Sequence, residues 1–391
     1  VKISGRDGDS FIYYSMLFHV PLELIRDANP HIANEKSLKG SLIHIPGFRK
    51  KKIPSMGLTF MEIANSYHIS VDALGLLNGS LGIGSQEVII PININSPVIN
   101  TKKFYDYASL TSDLTRLEKL YPFLEIETIG TSVLGKDIFE VRIGKGSEIV
   151  HYNGSFHANE WITSAILMRW LNELLISLST GLPLYGLYTL PIYEGKKISI
   201  VPMVNPDGVD LVLHGSRAAE GKFDVEDINA GSEEFYAWKA NIRGVDLNNQ
   251  YPASWEIEKK RKKPQAPSPR DYPGEAPISE PEAVAMMELA QKRDFEKVIA
   301  LHTQGREFYW GYEGYEPSYA FFIAEEFEKQ SGYKAVRYVD SHAGFKDWFI
   351  QEYQRPGFTL ELGKGINPLP LSQMDTIYRE TLGILMAGLY M

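Results

Sequence analysis

His151-Tyr152-Asn153-Gly154-Ser155-Phe156-His157-Ala158-Asn159-Glu160-Trp161 is the stretch on which the reading of this chain turns. An apolar run over residues 149–153 ends there at Asn153-Gly154. A helical pattern carried by Ile162, Ala165, Ile166 and Leu171 begins just after it. Between the two, His157 and Glu160 stand three apart, close enough to turn a ring nitrogen and a carboxylate oxygen toward one point. Strand ends are where α/β sheets place their ligands. Alone, His-x-x-Glu also describes any solvated helix start, so it needs company.

Two distant segments supply it. Lys297-Val298-Ile299-Ala300-Leu301-His302-Thr303 reads as a buried strand ending in a histidine. Taken singly, that histidine is also what a satisfied core residue looks like. Gly357-Phe358-Thr359-Leu360-Glu361-Leu362-Gly363 sets a glutamate inside a strand, with Phe358, Leu360 and Leu362 on one face and Thr359 and Glu361 on the other. Burying a carboxylate there is costly unless a cation or partner stands near it. Two histidines and one glutamate form a catalytic zinc set that leaves a fourth position for water. A hydrolase of that kind needs a second carboxylate beside the water as base.

The 391 residues contain no cysteine, which excludes disulfides, thiolate zinc sites and a cysteine nucleophile together. A metal must then be held by histidine and carboxylate. The formal charge of −9 argues against general affinity for nucleic acid. The basic run Lys259-Lys260-Arg261-Lys262-Lys263 lies in a proline-rich stretch and reads as a solvated loop. No apolar run reaches the roughly 20 residues of a membrane span. No basic-then-apolar pattern opens the chain, so no signal peptide is expected.

From residue 104 onward strands and helices alternate. A helix is expected over 107–121, with Leu110, Leu114, Leu117 and Leu120 on one face. Strands are expected at 124–130, 138–143, 149–153, 197–204, 298–303 and 357–361. This is an α/β pattern with a largely buried sheet between helices.

Further motifs fall in order along the same region: Asn205-Pro206-Asp207-Gly208, Gly244-Val245-Asp246-Leu247-Asn248 and Ser279-Glu280-Pro281-Glu282. With His157-x-x-Glu160, His302 and Thr359-Leu360-Glu361-Leu362 they resemble the M14 metallocarboxypeptidase family over nearly all of residues 104–391. The resemblance implies an open, mixed, twisted eight-stranded sheet between helices. It implies one zinc ion on His157, Glu160 and His302, with Glu361 as general base. It also implies that Asp246 accepts a hydrogen bond from His157 and fixes its tautomer, an arrangement expected around metal-ligating histidines. Asp207 reads as turn chemistry.

The departures from that family matter as much. Where most members carry the arginine that steadies the oxyanion, this chain has Lys239, which supplies the charge without a bidentate fork. Arg243 is the alternative donor. Asn248-Asn249-Gln250 replaces an Asn-Arg-Asn whose arginine clamps a terminal carboxylate, and Asn249 cannot do that. Asn248 and Asn249 are expected to contact substrate, as are Tyr338 and His342, which lie near the family's mobile tyrosine.

The first 91 residues repeat internally. Gly8-Asp9-Ser10-Phe11 matches Gly57-Leu58-Thr59-Phe60, Leu24-Ile25 matches Ala73-Leu74, and Asn29 matches Asn78, all at one offset. Each copy closes on an apolar strand ending in proline, Leu42-Ile43-His44-Ile45-Pro46 and Val88-Ile89-Ile90-Pro91. The expected order in each is strand, helix, helix, strand. This resembles the LysM module, which implies binding of N-acetylglucosamine-containing glycan such as peptidoglycan. The organisation expected is a first module over 1–48, a second over 49–92, a linker over 93–103 and a peptidase domain over 104–391.

LysM modules joined to a cysteine-free domain of this kind resemble the wall endopeptidases of spore-forming bacilli. That implies cleavage of the γ-D-glutamyl–diamino acid bond (meso-diaminopimelate or Lys) in peptidoglycan stem peptides, at the cell envelope or the spore. The alternatives are a carboxypeptidase trimming the same peptides and a wall-binding protein whose peptidase scaffold is dead.

Overall fold

The computed structural model describes residues 1–33, 35, 38–79 and 86–391. They divide into two compact bodies. One comprises Val1–Ile99, Asp113–Glu125 and Leu171–Leu190, the other Asn100–Ser112, Ile126–Trp170 and Pro191–Met391.

In the first body the repeat appears as two βααβ copies. Strand β1 (Lys2–Ser4) pairs antiparallel with β2 (Leu42–His44), enclosing helices α1 (Phe11–Phe18) and α2 (Leu22–Asp27). Strand β3 (Phe48–Pro54) pairs antiparallel with β4 (Glu87–Asn93) around α3 (Phe60–Tyr67) and α4 (Val71–Asn78). Residues 80–85 of the second copy lie outside the described residues. Local chemistry repeats with the sequence. Ser10 and Thr59 cap α1 and α3 through their hydroxyls, and His19 and His68 close the same helices in the left-handed region, at φ 54° and 53°.

The matched asparagines do the same work twice. Asn29 Nδ2 donates to the Ile25 carbonyl (2.7 Å) and the His44 carbonyl (2.8 Å), while its Oδ1 accepts from the His44 N–H (2.7 Å). Asn78 bonds Leu74 and both backbone groups of Ile89, each at 2.8 Å. Each side chain thus satisfies an orphaned carbonyl at a helix end and an edge of the closing strand, stapling one to the other. The second strand does not stop at its proline. Pro91 sits opposite Lys50 and pairing continues to Asn93. In a two-stranded sheet every strand has a free edge, and the missing N–H is tolerated there.

The second body is built on an eight-stranded sheet in the order β11-β10-β12-β9-β7-β8-β6-β5. Its strands are β5 (Glu125–Thr131), β6 (Asp137–Gly144), β7 (Glu148–Gly154), β8 (Lys196–Val201), β9 (Lys297–Thr303), β10 (Glu307–Tyr309), β11 (Lys334–Val336) and β12 (Gly357–Leu362). The central strands β12, β9, β7 and β8 run parallel, whereas β10 joins β12 and β6 joins β8 antiparallel, so the sheet is mixed as expected. Every residue of β9 is buried. That is why it reads as a nearly continuous apolar run rather than an alternating one.

Helices cover both faces. On one, Met286, Leu289 and Ala290 of helix Pro281–Arg293 and Phe345, Trp348 and Phe349 of helix Phe345–Tyr353 pack against Val201 and Val298. On the other, the Tyr152 hydroxyl donates to the Leu385 carbonyl of helix Met374–Tyr390 at 2.8 Å, and Phe358 meets Phe327 of helix Ala320–Ser331 at 4.7 Å between rings. The basic run departs from its expected loop. Lys259, Lys260 and Arg261 form the last turn of helix Trp255–Arg261, where cations suit the helix dipole. Arg261 also grips the buried Glu258 through two bonds of 2.9 and 2.7 Å. No helix among the described residues is long and apolar enough to cross a membrane.

Candidate metal centre

Parallel pairing brings the carboxyl ends of three strands together. Gly154 at the end of β7 lies opposite Leu301 of β9, and His302 of β9 lies opposite Glu361 of β12. Register partners on adjacent parallel strands send their side chains to the same face. Beyond Gly154 the chain turns through His157 into a short 3-10 helix, Ala158–Glu160, which brings Glu160 back beside His157.

Three ligating groups converge there. His157 Nδ1 is 3.0 Å from Glu160 Oε1, His302 Nδ1 is 3.0 Å from Glu160 Oε2, and the two Nδ1 atoms are 3.1 Å apart. All three residues are buried, and they are the one group of histidine and acidic residues among the described residues with metal-holding geometry. A tetrahedral ion with bonds of about 2.0–2.1 Å has ligands about 3.3 Å apart. The observed edges approach that figure, so the donor set fits zinc and leaves a fourth corner open.

Asp246 decides how His157 faces the centre. Its Oδ1 lies 3.2 Å from His157 Nε2, so that nitrogen carries the proton and the Nδ1 lone pair points inward. The same buried carboxylate accepts the N–H groups of Asn248 (3.2 Å) and Asp271 (3.3 Å) and lies 3.5 Å from Lys239 Nζ. Burial alone would push its pKa up, but Lys239 and His157 hold it well below the usual carboxylate range. Burial likewise opposes charge on Lys239, and Asp246 and Glu160 more than restore it. Lys239 is also held by its backbone, since its carbonyl accepts the Ala158 N–H at 3.0 Å. Its positive charge is thereby fixed beside the His157–Glu160 turn.

Glu361 is half-buried and makes no side-chain hydrogen bond among the described residues. Protein groups push its pKa up to about 8, first through burial and then through the Glu160 carboxylate, against the pull of His157 and Lys239. A divalent cation alongside favours the ionised form and draws that value down.

The remaining expected residues divide. Arg243 does not join the cluster; it is exposed, with its guanidinium 3.5 Å from Glu280. Asn248 Oδ1 accepts the Phe345 N–H (3.1 Å) at the start of helix Phe345–Tyr353, and Asn249 is buried without a side-chain hydrogen bond among the described residues. The exposed Tyr338 donates to Glu316 at 2.8 Å, and His342 Nδ1 meets the Tyr312 hydroxyl at 3.0 Å. His151, in the opening stretch, faces the core, stacked on Phe295 at 4.3 Å and bonded to Ser199. Sequence reasoning missed Asn367. Its Nδ2 reaches Glu160 Oε1 (3.3 Å) and the Thr303 carbonyl (2.9 Å), tying two ligand-bearing segments together. Only the turn signal Asn367-Pro368 marked it.

The chain is similar to several known proteins. γ-D-Glutamyl-L-diamino acid endopeptidase 1 of Lysinibacillus sphaericus is 46% identical over 99% of each chain. Uncharacterized protein YqgT of Bacillus subtilis strain 168 is 46% identical over 76% of this chain and 81% of its own. Among solved structures, bovine thrombin-activatable fibrinolysis inhibitor in complex with tick carboxypeptidase inhibitor superposes with a TM-score of 0.58 at 17% identity, covering 74% of this chain and 97% of its own. Carboxypeptidase A from Helicoverpa armigera gives 0.56 at 17% identity, over 83% and 80%. At such identities these two show the shared fold. The profile of the zinc carboxypeptidase family, peptidase M14, matches residues 110–383. This chain belongs to the M14 zinc carboxypeptidase family and is a zinc peptidase.

Proposed function

We propose that the chain hydrolyses the γ-D-glutamyl–diamino acid bond of peptidoglycan stem peptides, the diamino acid being meso-diaminopimelate or lysine, with a single zinc on His157, Glu160 and His302. The observation that carries this reading is the 46% identity, along 99% of both chains, to a relative named for cleavage at that kind of bond. Asn249 supports it, because a neutral amide offers no cation to clamp the terminal carboxylate that a carboxypeptidase must recognise.

Bound zinc lowers the pKa of water from 15.7 toward roughly 7 and polarises a carbonyl. Glu361 takes a proton from the attacking water and delivers it to the departing amine. Lys239 places positive charge where the carbonyl oxygen gains negative charge. Asp246 keeps the His157 lone pair turned inward, and Asn367 does the same for the Glu160 carboxylate. His157, Glu160, His302 and Asp246 are buried, and the exclusion of water around them strengthens the interactions they make with one another.

The two βααβ copies we read as LysM modules that hold the glycan, which raises the local concentration of stem peptide without any new contact at the metal. The place of action in this reading is the cell envelope or the spore. Digesting purified muropeptides and weighing the products tests the whole. Fragments broken between D-glutamate and the diamino acid support the reading. Release of terminal residues from otherwise intact stems would instead establish a carboxypeptidase, the second reading, which the family's description favours.

A further inference from the structure

We propose that Arg270 is a specificity-determining residue that binds the free α-carboxylate of the γ-D-glutamyl unit, on the acyl side of the bond to be cut. This rests on the substrate proposed above and adds to it the group that tells a γ-glutamyl amide from other amides. A γ-linked glutamate differs from an ordinary peptide residue in carrying a free carboxylate a short aliphatic arm from the scissile carbonyl. A site selective for it needs a cation there, and a guanidinium fork is the group best shaped for a carboxylate.

The backbone sets Arg270 beside the metal centre. Segment 268–272 runs along segment 239–246 and is pinned to it on both sides of Arg270. The Pro269 carbonyl accepts the N–H groups of Lys239 (2.8 Å) and Ala240 (3.0 Å), and the Tyr272 carbonyl accepts the Asp246 N–H (2.7 Å). Between them the Asp271 N–H donates to the Asp246 carboxylate at 3.3 Å. Across the centre the order is Glu361 on β12, His302 on β9 and His157 beyond β7, then Asp246 at His157 Nε2 and Lys239 beside Asp246. Arg270 prolongs this row away from Glu361. Glu361 must reach the departing amine, so the acyl half of the substrate falls on the side of Lys239 and Arg270.

The guanidinium is held by one end and open at the other. Arg270 Nε donates to Asp271 Oδ2 at 3.2 Å, whereas its two terminal nitrogens make no hydrogen bond among the described residues, and the side chain is exposed. Asp271 therefore steadies the arm and leaves the fork free for a second carboxylate. Nor is Asp271 a counter-charge for Arg270 alone, because its Oδ1 accepts from Lys262 Nζ at 3.1 Å. The charge of Arg270 is felt at the centre, where it opposes the charge on Lys239. An exposed pair such as Arg270–Asp271 contributes little to folding, so replacing the arginine leaves the fold in place.

Two peptides that differ in one group test this: L-Ala-γ-D-Glu-L-Lys-D-Ala and its twin in which the α-carboxylate is a carboxamide. Each is hydrolysed by the zinc-loaded full chain at low ionic strength. The wild type is expected to favour the acid by about tenfold or more in kcat/KM, the usual contribution of a charge-assisted hydrogen bond. Added salt should shrink that preference. Arg270→Gln should reduce it to within about twofold, and Arg270→Lys, which keeps the charge without the fork, should retain part of it. Zinc content and thermal unfolding should stay unchanged in both. An equal fall on the two peptides is what a merely structural role gives, and it overturns the inference, as does a wild type without the preference. If the wild type cuts neither peptide between D-glutamate and lysine, the γ-glutamyl reading itself fails and the inference falls with it.

Discussion

Replacing Asp246 by asparagine keeps the shape of the side chain and removes its charge, and the structure fixes what that must cost. One oxygen serves His157 Nε2 and the Asn248 N–H, both at 3.2 Å, and the other serves the Asp271 N–H at 3.3 Å and Lys239 at 3.5 Å. An amide has one oxygen for these two sites. Turned toward His157, it confronts the Asp271 N–H and the Lys239 ammonium with its own NH₂. Turned the other way, it presents a donor to the Nε2–H, which drives the imidazole toward the tautomer whose Nδ1 is protonated and cannot bind metal. Loss of such an orienting carboxylate costs about 10–100-fold in metal affinity, or about 1.4–2.7 kcal/mol. Competition for zinc against a chromophoric chelator measures it, with thermal unfolding as the control for fold. Activity at saturating zinc should also stay depressed, because Lys239 loses its partner and with it its position. A folded variant whose zinc affinity lies within about threefold of the wild type refutes the reasoning.

Glu361→Gln should lower hydrolysis by several orders of magnitude while leaving zinc content intact; residual activity within about tenfold would remove it from the role of base. Asn78→Ala deletes three hydrogen bonds of 2.8 Å, one to a buried carbonyl and two to partly buried backbone groups. It should destabilise the second βααβ copy by about 2–4 kcal/mol, seen as faster amide exchange in β4, and unchanged exchange there would refute the staple. Glu282 is buried near Asp207 and Glu280, and burial foremost pushes its pKa up to about 7 from 4.5. The folded state then binds the extra proton between those values, so the contribution is full below about 4.5 and is lost as pH rises through 7, on the order of 3 kcal/mol in all. Urea midpoints at pH 5 and pH 8 should differ less in Glu282→Gln than in the wild type, and an equal difference would contradict it.

How much of this was legible beforehand follows from the physics of each element. Strands β7 and β9 lie inside a parallel sheet and announce themselves as apolar runs, whereas β12 shows as an alternation that sets Thr359 and Glu361 on one face. Strands β10 and β11 are three residues each, at one edge of the sheet, and are too short for any periodicity to register. His157, Glu160 and His302 stood out through the order of the motifs that resemble the M14 family; each was ambiguous alone, and the lack of cysteine only narrowed the donors to histidine and carboxylate. Asn367 did not, because Asn-Pro signals a turn anywhere, and its reach to Glu160 exists only once β9 and the chain beyond β12 lie side by side. Lys239 and Arg243 were both cations near the right motif. Which of them faces the centre depends on long-range partners, Asp246 for one and Glu280 for the other. The repeated asparagines were visible as a match, but the reason for them, three backbone bonds apiece, required the folded copies.

Crystals of the zinc-loaded full chain, measured above and below the zinc absorption edge, test the central claim most directly. One anomalous peak per chain is expected, within about 2.0–2.2 Å of His157 Nδ1, a Glu160 carboxylate oxygen and His302 Nδ1. No peak among these three side chains, or a peak held by other residues, would contradict it.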